Sequence, residues 1–132
     1  MSFVGSTESI ATNNTAFRRV VYTGDELQLV AMCLRTGEDI GTETHARVEQ
    51  QIQIVPGSAV VTLDRKRYSV SRGDTIIVPP GVRHNLKNTG PFSLRLLTTY
   101  SPPNHPPSTV HPTKADARAD KKDAAFSARV NR

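Results

Sequence analysis

The chain between residues 17 and 100 alternates short apolar stretches with turn residues. In residues 48–54, Val48, Ile52 and Ile54 share one side of an extended chain with Gln50, whereas the positions between them are polar. Glycine and proline interrupt the apolar stretches at short intervals, and no helical spacing lies between them. The pattern predicts an all-β fold, an antiparallel barrel or sandwich, with eight strands at residues 17–22, 27–35, 48–55, 59–63, 68–70, 75–79, 83–87 and 92–100.

The two ends of the chain differ from this strand pattern. Residues 1–16 are polar and lack periodicity, which predicts a flexible N-terminal arm. Residues 101–108 contain four prolines, which remove backbone donors, and predict a segment that wraps over the barrel. Thr113 followed by Asp116 is typical of a helix N-cap and predicts a short helical tail. The expected organisation is an arm at 1–16, a barrel at 17–100, and a proline-rich wrap with a basic tail at 101–132.

Length and composition favour one small soluble domain. The chain has 132 residues, no Trp and only seven other aromatic residues, so its core must be mostly aliphatic. Its longest apolar run, Leu29 to Leu34, is far shorter than the roughly 20 residues that a membrane helix needs. The N-terminus lacks the basic and apolar regions of a secretory signal, and a single cysteine fits a reducing compartment. We therefore expect a cytoplasmic protein.

A net charge of +5 raises the question of nucleic-acid binding. Residues 114–132 hold six of the 17 Lys and Arg residues but only three of the 12 acidic residues. This segment mixes both signs of charge and has one aromatic residue, Phe126, so it offers no platform on which bases stack. We interpret it as a solvated tail. Nucleic-acid binding through this tail stays a weak alternative.

Two glycine-bounded stretches carry side chains that can bind a metal. The first contains Gly37, Glu43, His45, Gln50 and Gly57. Glu43 and His45 are two residues apart, so they point to the same face of an extended chain. Gln50 lies on the apolar side of its strand, and the odd step from His45 to Gln50 requires a bend or bulge.

The second stretch contains Gly73, Pro79, Gly81, His84 and Asn88. Its proline and glycine predict a turn that directs His84 inward, on the same face as Leu86. The spacing of the two stretches resembles the paired signature of the cupin superfamily, whose fold is a small β-barrel with a metal in its interior. The second stretch matches at every defining position. The first differs at two ligand positions, because the family commonly has His where Glu43 stands and Glu where Gln50 stands.

The resemblance implies one divalent transition metal per chain, held by Glu43, His45, Gln50 and His84. Two histidines and one carboxylate form the facial set that suits non-haem Fe(II), and Gln50 adds a neutral fourth ligand. The two departures from the family pattern cancel in charge. The set of two histidines and one carboxylate favours Fe(II), while Mn, Ni, Co, Zn and Cu remain candidates.

Three further residues are candidates for the substrate pocket, each with a packing role as the alternative. Cys33 lines either the cavity or the buried wall of its strand, and Tyr100 points its hydroxyl into the barrel or packs in the core. His105, like His111, lies on the proline-rich wrap, where it covers the barrel mouth or faces solvent. Arg35 and Arg47 are near the site in sequence and can pair with an anionic substrate or face solvent.

The predicted function is that of a metal-dependent enzyme acting on a small polar organic molecule. The ligand set slightly favours oxygenase chemistry, whereas small cupins with a ligand glutamine resemble enzymes that isomerise or open sugar acids. No catalytic residue is assigned beyond the metal ligands. A cupin that binds or senses a sugar or organic acid without turnover is the alternative. The resemblance also implies a homodimer.

Overall fold

The computed structural model describes residues 2–132, which form two antiparallel sheets and three short helices. The strands are β1 Arg18–Thr23, β2 Gln28–Leu34, β3 Glu49–Ile54, β4 Ser58–Leu63, β5 Lys66–Ser71, β6 Thr75–Val78, β7 His84–Asn88, β8 Leu94–Ser101 and β9 Val110–His111. The helices are α1 Thr7–Thr12, α2 Lys114–Ala119 and α3 Lys121–Val130. One sheet has the order β6-β3-β8-β2-β1-β9, and the other has the order β5-β4-β7. The predicted antiparallel barrel is confirmed, and each predicted strand overlaps an observed one.

The core lies between the two sheets and is mostly aliphatic, as the composition required. In β3, Gln50, Ile52 and Ile54 are buried and face this core, while Glu49 and Gln53 are exposed. The predicted alternation is therefore confirmed, and it places a polar amide inside the barrel. The larger sheet also contributes Val30, Met32, Leu34, Leu94, Leu96 and Tyr100 to the core, and the smaller sheet contributes Ala59, Val61 and Leu86.

The N-terminal segment is more ordered than predicted. Ser6 caps α1 by accepting a hydrogen bond from the backbone N–H of Ser9. Ala11 is fully buried and packs with Ala31, Val55 and Leu97 in a second apolar cluster. The sequence did not predict the helix Thr7–Thr12 within this arm, because a helix with a single fully buried side chain leaves no apolar periodicity in the sequence.

The C-terminal segment also packs onto the barrel. The proline-rich wrap ends in β9, which pairs with β1 through Arg18 opposite His111. Thr113 and Asp116 form the predicted capping box, so the helical tail is confirmed. The interpretation of residues 114–132 as a solvated tail is wrong, because Asp123 is buried and Ala117 and Val130 pack against the core.

Residues 2–132 contain no helix that is long and apolar enough to cross a membrane.

Candidate metal centre

The segment that carries Glu43 runs antiparallel to β7. The N–H of Ile40 donates to the carbonyl of Leu86 at 3.0 Å, and the backbones of Glu43 and His84 exchange two hydrogen bonds of 2.9 Å. This pairing places the two candidate ligands directly opposite each other, as cross-strand partners. Backbone pairing thus brings together two residues that are 41 positions apart in the sequence.

His84 is oriented by the turn that precedes it. Gly81 has a φ of 86°, a left-handed conformation that favours glycine. The Nδ1 of His84 lies 2.9 Å from the carbonyl oxygen of Val82 and must donate its proton there. The other ring nitrogen, Nε2, is buried without a hydrogen-bond partner in residues 2–132. Burial lowers the pKa of His84, so the imidazole is neutral and Nε2 carries a free lone pair.

His45 lies beside His84, with ring centroids 5.2 Å apart. Its carbonyl accepts a 2.7 Å hydrogen bond from the N–H of Gly81, so the same turn positions both imidazoles. The Nε2 of His45 is 3.3 Å from a carboxylate oxygen of Glu43, but this contact lacks hydrogen-bond geometry and Nε2 has no other partner among the described residues. A bend at residues 46–47 follows, which confirms the irregularity predicted between His45 and Gln50.

Gln50 is held inside the barrel by Thr98 on the neighbouring strand. Its amide nitrogen donates to the Thr98 hydroxyl at 2.9 Å. The amide oxygen is buried and finds no hydrogen-bond partner within the part of the chain that the structure describes. Because buried polar atoms are nearly always paired, an unpaired amide oxygen indicates that Gln50 can bind a ligand at this position.

Glu43 supplies the negative charge of the cluster. Burial by itself would raise the pKa of this carboxyl group, but the contact with His45 and the nearby charge of Arg18 outweigh burial and hold the pKa below its ordinary value. The side chain keeps 39% of its surface exposed, so it lies at the edge of the cluster.

The donor set fits a divalent transition metal. One ligand atom each of Glu43, His45 and His84 lie within 4.8 Å of one another. Two unpaired imidazole nitrogens, one unpaired amide oxygen and one carboxylate are chemically suited to ions such as Fe(II), Co(II) and Zn(II). The chain's own hydrogen bonds orient His84 and Gln50 through their other polar atoms, as is usual for residues that bind metals.

A cavity of about 440 Å³ adjoins this cluster at Glu43. It lies between the barrel and the C-terminal helices, and its lining includes Arg18, His105, Asp123 and Lys114. Its wall is therefore rich in charged and titratable groups. The volume falls within the range of about 300–1,000 Å³ that is usual for small-molecule sites.

His105 is fixed on the cavity wall by two neighbours. Its Nδ1 donates to the Asp123 carboxylate at 2.6 Å. Gln28 accepts hydrogen bonds from the N–H groups of Asn104 and His105 and donates to the carbonyl of His105 at 2.7 Å. The ring of His105 also contacts Tyr100, with centroids 5.1 Å apart. This leaves the Nε2 of His105 buried and unpaired among residues 2–132.

The other candidate residues lie in different parts of the fold. Tyr100 lies inside the barrel, with its ring 6.1 Å from that of His45, and burial raises the pKa of its hydroxyl so that it stays protonated. Cys33 points away from the core and lines a different surface depression with Arg35. Arg47 is exposed and binds the chain's C-terminal residues. Of the two alternatives for His105 and His111, the one in which they face solvent is wrong, since both are buried.

Arg18, Gln28 and Asp123 were not predicted to belong to the site. Their signal in the sequence is weak, because Arg18 and Asp123 look like surface charges and meet only through the fold of the tail. Gln28 follows the alternation of Val30, Met32 and Leu34, but both faces of β2 are buried, so the sequence does not show which face is inside.

Known proteins share this fold and much of this sequence. The uncharacterized protein YrkC of Bacillus subtilis strain 168 is 40% identical over 123 residues, which cover 89% of this chain and 66% of the relative. The chain thus spans about two thirds of the length of this relative.

Solved structures extend the comparison. BH2720 from Bacillus halodurans is 38% identical and has a TM-score of 0.90, over 91% of this chain and 96% of that one. KdgF from Halomonas sp. is 26% identical with a TM-score of 0.61, over 65% of this chain and 77% of that one. The cupin domain family matches residues 30–100, more than half of the sequence. The chain therefore belongs to the cupin family, as its two glycine-bounded stretches predicted.

Proposed function

We propose that this cupin is a metal-dependent enzyme that acts on a small polar organic molecule. One divalent transition metal would be held by Glu43, His45, Gln50 and His84. The observation that carries the proposal is the set of three buried, unpaired ligand atoms among residues 2–132, two imidazole nitrogens and one amide oxygen, next to the Glu43 carboxylate. Leaving such atoms unpaired costs about 1–3 kcal/mol each, a cost that metal coordination removes.

A bound divalent ion supplies Lewis-acid polarisation of a substrate oxygen and a template for substrate binding. With one carboxylate and three neutral donors, the protein ligands carry a charge of −1, so the loaded centre is positive. The adjoining cavity, lined by Arg18, His105 and Asp123, offers polar groups that bind and orient a substrate beside the centre.

Two reaction classes fit the centre. Isomerisation or lyase chemistry is supported by the buried His105–Asp123 pair on the cavity wall, because these reactions move protons. Oxygenase chemistry is supported by the set of two histidines and one carboxylate, which suits Fe(II). A cupin that only binds its ligand is disfavoured by a titratable pair beside the centre.

The first test is metal analysis of protein purified without chelator and reconstituted with Fe(II), Mn(II), Ni(II) or Zn(II). We expect about one equivalent per chain in the wild type and little in His45→Ala and His84→Ala. His111→Ala is the matched control, because His111 is equally buried but bonds to Arg18 and Asp120 instead. Equal metal contents in the wild type and in both ligand variants would overturn the proposed ligand set.

The second test separates the reaction classes. Reconstituted protein is incubated with a panel of small hydroxy, keto and sugar acids, and oxygen uptake and product formation are both followed. Metal-dependent conversion without oxygen uptake supports isomerase or lyase activity, and conversion with uptake supports an oxygenase. A protein that binds metal and converts no member of the panel with any of the four ions would count as a binding cupin.

A further inference from the structure

Arg18 is a buried cation without a hydrogen-bonded anion in residues 2–132. Its Nη1 contacts the Nδ1 of His111 at 3.2 Å, and the nearest Asp123 oxygen is 3.9 Å away. Because the Nε2 of His111 donates to Asp120, its Nδ1 accepts from Arg18 as a neutral partner. The Nε of Arg18 is buried and unpaired in the described chain. A buried guanidinium is costly unless its donors are hydrogen-bonded. Asp123 gives Arg18 only an ion pair at 3.9 Å, so the unpaired Nε can still donate to a bound anion.

The charged lining of the cavity has a small excess of cations, because Arg18, Lys114 and Arg118 face the two carboxylates of Glu43 and Asp123. Lys114 is itself paired with Asp39 on the barrel, so Arg18 and Arg118 are the cations left for a ligand. Guanidinium groups bind carboxylates, as they bind phosphates, with planar, paired hydrogen bonds, so Arg18 suits a carboxylate ligand.

His105 provides a complementary acceptor on the same wall. The Nδ1–H of His105 donates to the Asp123 carboxylate, which leaves Nε2 as a lone-pair acceptor while the ring is neutral. Burial lowers the pKa of His105 and outweighs the opposing effect of Asp123, so the neutral form prevails at pH 7. The hydrogen bonds of Gln28 hold the backbone, and Nε2 finds no partner within residues 2–132.

We propose that the cavity between the barrel and the C-terminal helices binds a small hydroxy-carboxylic acid, with Arg18 binding a carboxylate and the Nε2 of His105 accepting a hydrogen bond from the hydroxyl group. Asp123 and Gln28 are positioning residues that act through His105. This assignment deepens the proposed function by naming its substrate class, and it rests on that function only in placing the acid beside the metal.

The test uses two probes that differ by one hydroxyl group, malonate and tartronate (hydroxymalonate). Both are titrated by calorimetry at low ionic strength into metal-free and Zn²⁺-loaded wild type, and into Arg18→Gln and His105→Phe. We expect Arg18→Gln to weaken both acids by about tenfold or more. His105→Phe should weaken tartronate by about threefold to tenfold and leave malonate within about twofold. Arg65→Gln makes the same change of charge on the exposed β4–β5 hairpin, outside the cavity, and should bind both acids like the wild type.

Two further measurements distinguish a loss of acid binding from a loss of folding in the variants. Arg18→Lys keeps the charge without the planar fork and should bind with intermediate affinity. In the wild type, the ¹⁵N signal of His105 Nε2 should shift with tartronate and change little with malonate. The inference is overturned if the wild type binds neither acid, if Arg65→Gln loses as much affinity as Arg18→Gln, or if His105 does not distinguish the two probes.

A Zn²⁺ titration of the same wild-type protein separates this inference from the proposed function. Zn²⁺ binding without binding of either acid would overturn the substrate class alone. Arg18-dependent acid binding by a protein that takes up no Zn²⁺ would overturn the metal centre and leave the acid site standing.

Discussion

Gln28 should be one of the most costly polar residues to remove. It is fully buried, and its amide group accepts hydrogen bonds from the N–H groups of Asn104 and His105 and donates one to the carbonyl of His105. Gln28→Leu keeps the approximate volume but leaves these three groups unpaired. At about 1 kcal/mol or more for each buried unpaired group, the free energy of unfolding should fall by about 3 kcal/mol. The decrease in the free energy of unfolding would be smaller if residues 104–105 moved toward water.

Urea denaturation at pH 7 measures this change by linear extrapolation. The matched control is Gln53→Leu, because Gln53 is exposed on the outer face of β3 and should change stability by less than about 0.5 kcal/mol. Loss of the hydrogen bonds between Gln28 and residues 104–105 should also alter the NMR signals of His105. If Gln28→Leu is as stable as Gln53→Leu and the His105 signals do not move, Gln28 does not hold the cavity wall.

Three further changes test other parts of the structure. Thr98→Val removes the hydroxyl that orients the ligand amide and should weaken metal binding by about tenfold or more, measured by competition with a chelator; unchanged affinity would contradict this role. Asp39→Asn tests the depressed pKa that the hydrogen bond from Lys114 gives this carboxyl group. Because the pKa is lowered, the ionised carboxylate stabilises the fold above its ordinary pKa near 3.9, and this stabilisation is lost as pH falls through the depressed pKa. The variant should therefore lose about 0.5 kcal/mol of unfolding free energy at pH 7 and progressively less as pH falls below about 4. A difference that persists at low pH would refute it. Gly57→Ala should cost about 2 kcal/mol or more in thermal or urea unfolding, because φ is 125° and the new Cβ would lie 2.8 Å from the Leu94 Cδ1; a neutral effect would show that the turn relaxes.

The cluster of candidate metal ligands was largely predictable, because its signals in the sequence are local. The spacing of Glu43 and His45 and the alternation around Gln50 depend only on the period of an extended chain. The observed burial of Gln50 among Val48, Ile52 and Ile54 follows from that pattern. Hydrogen bonds such as that between Gln50 and Thr98 were not predictable, since they depend on strand order.

The cavity was not predictable because long-range packing forms it. His105 and Asp123 meet only when the wrap and α3 fold over the barrel, and Arg18 reaches them from β1. No periodicity connects these positions in the sequence. For the same reason the sequence predicts solvated charges in the tail, although Asp123 is buried against His105.

The most direct test of the metal centre is X-ray absorption spectroscopy of the Zn²⁺-loaded protein. The proposed ligand set predicts one ion per chain with two imidazole nitrogens at about 2.0–2.1 Å and the remaining donors oxygen. His84→Ala should reduce the imidazole contribution to one. A wild-type spectrum with no imidazole ligand, or one that His84→Ala leaves unchanged, would contradict the proposed centre.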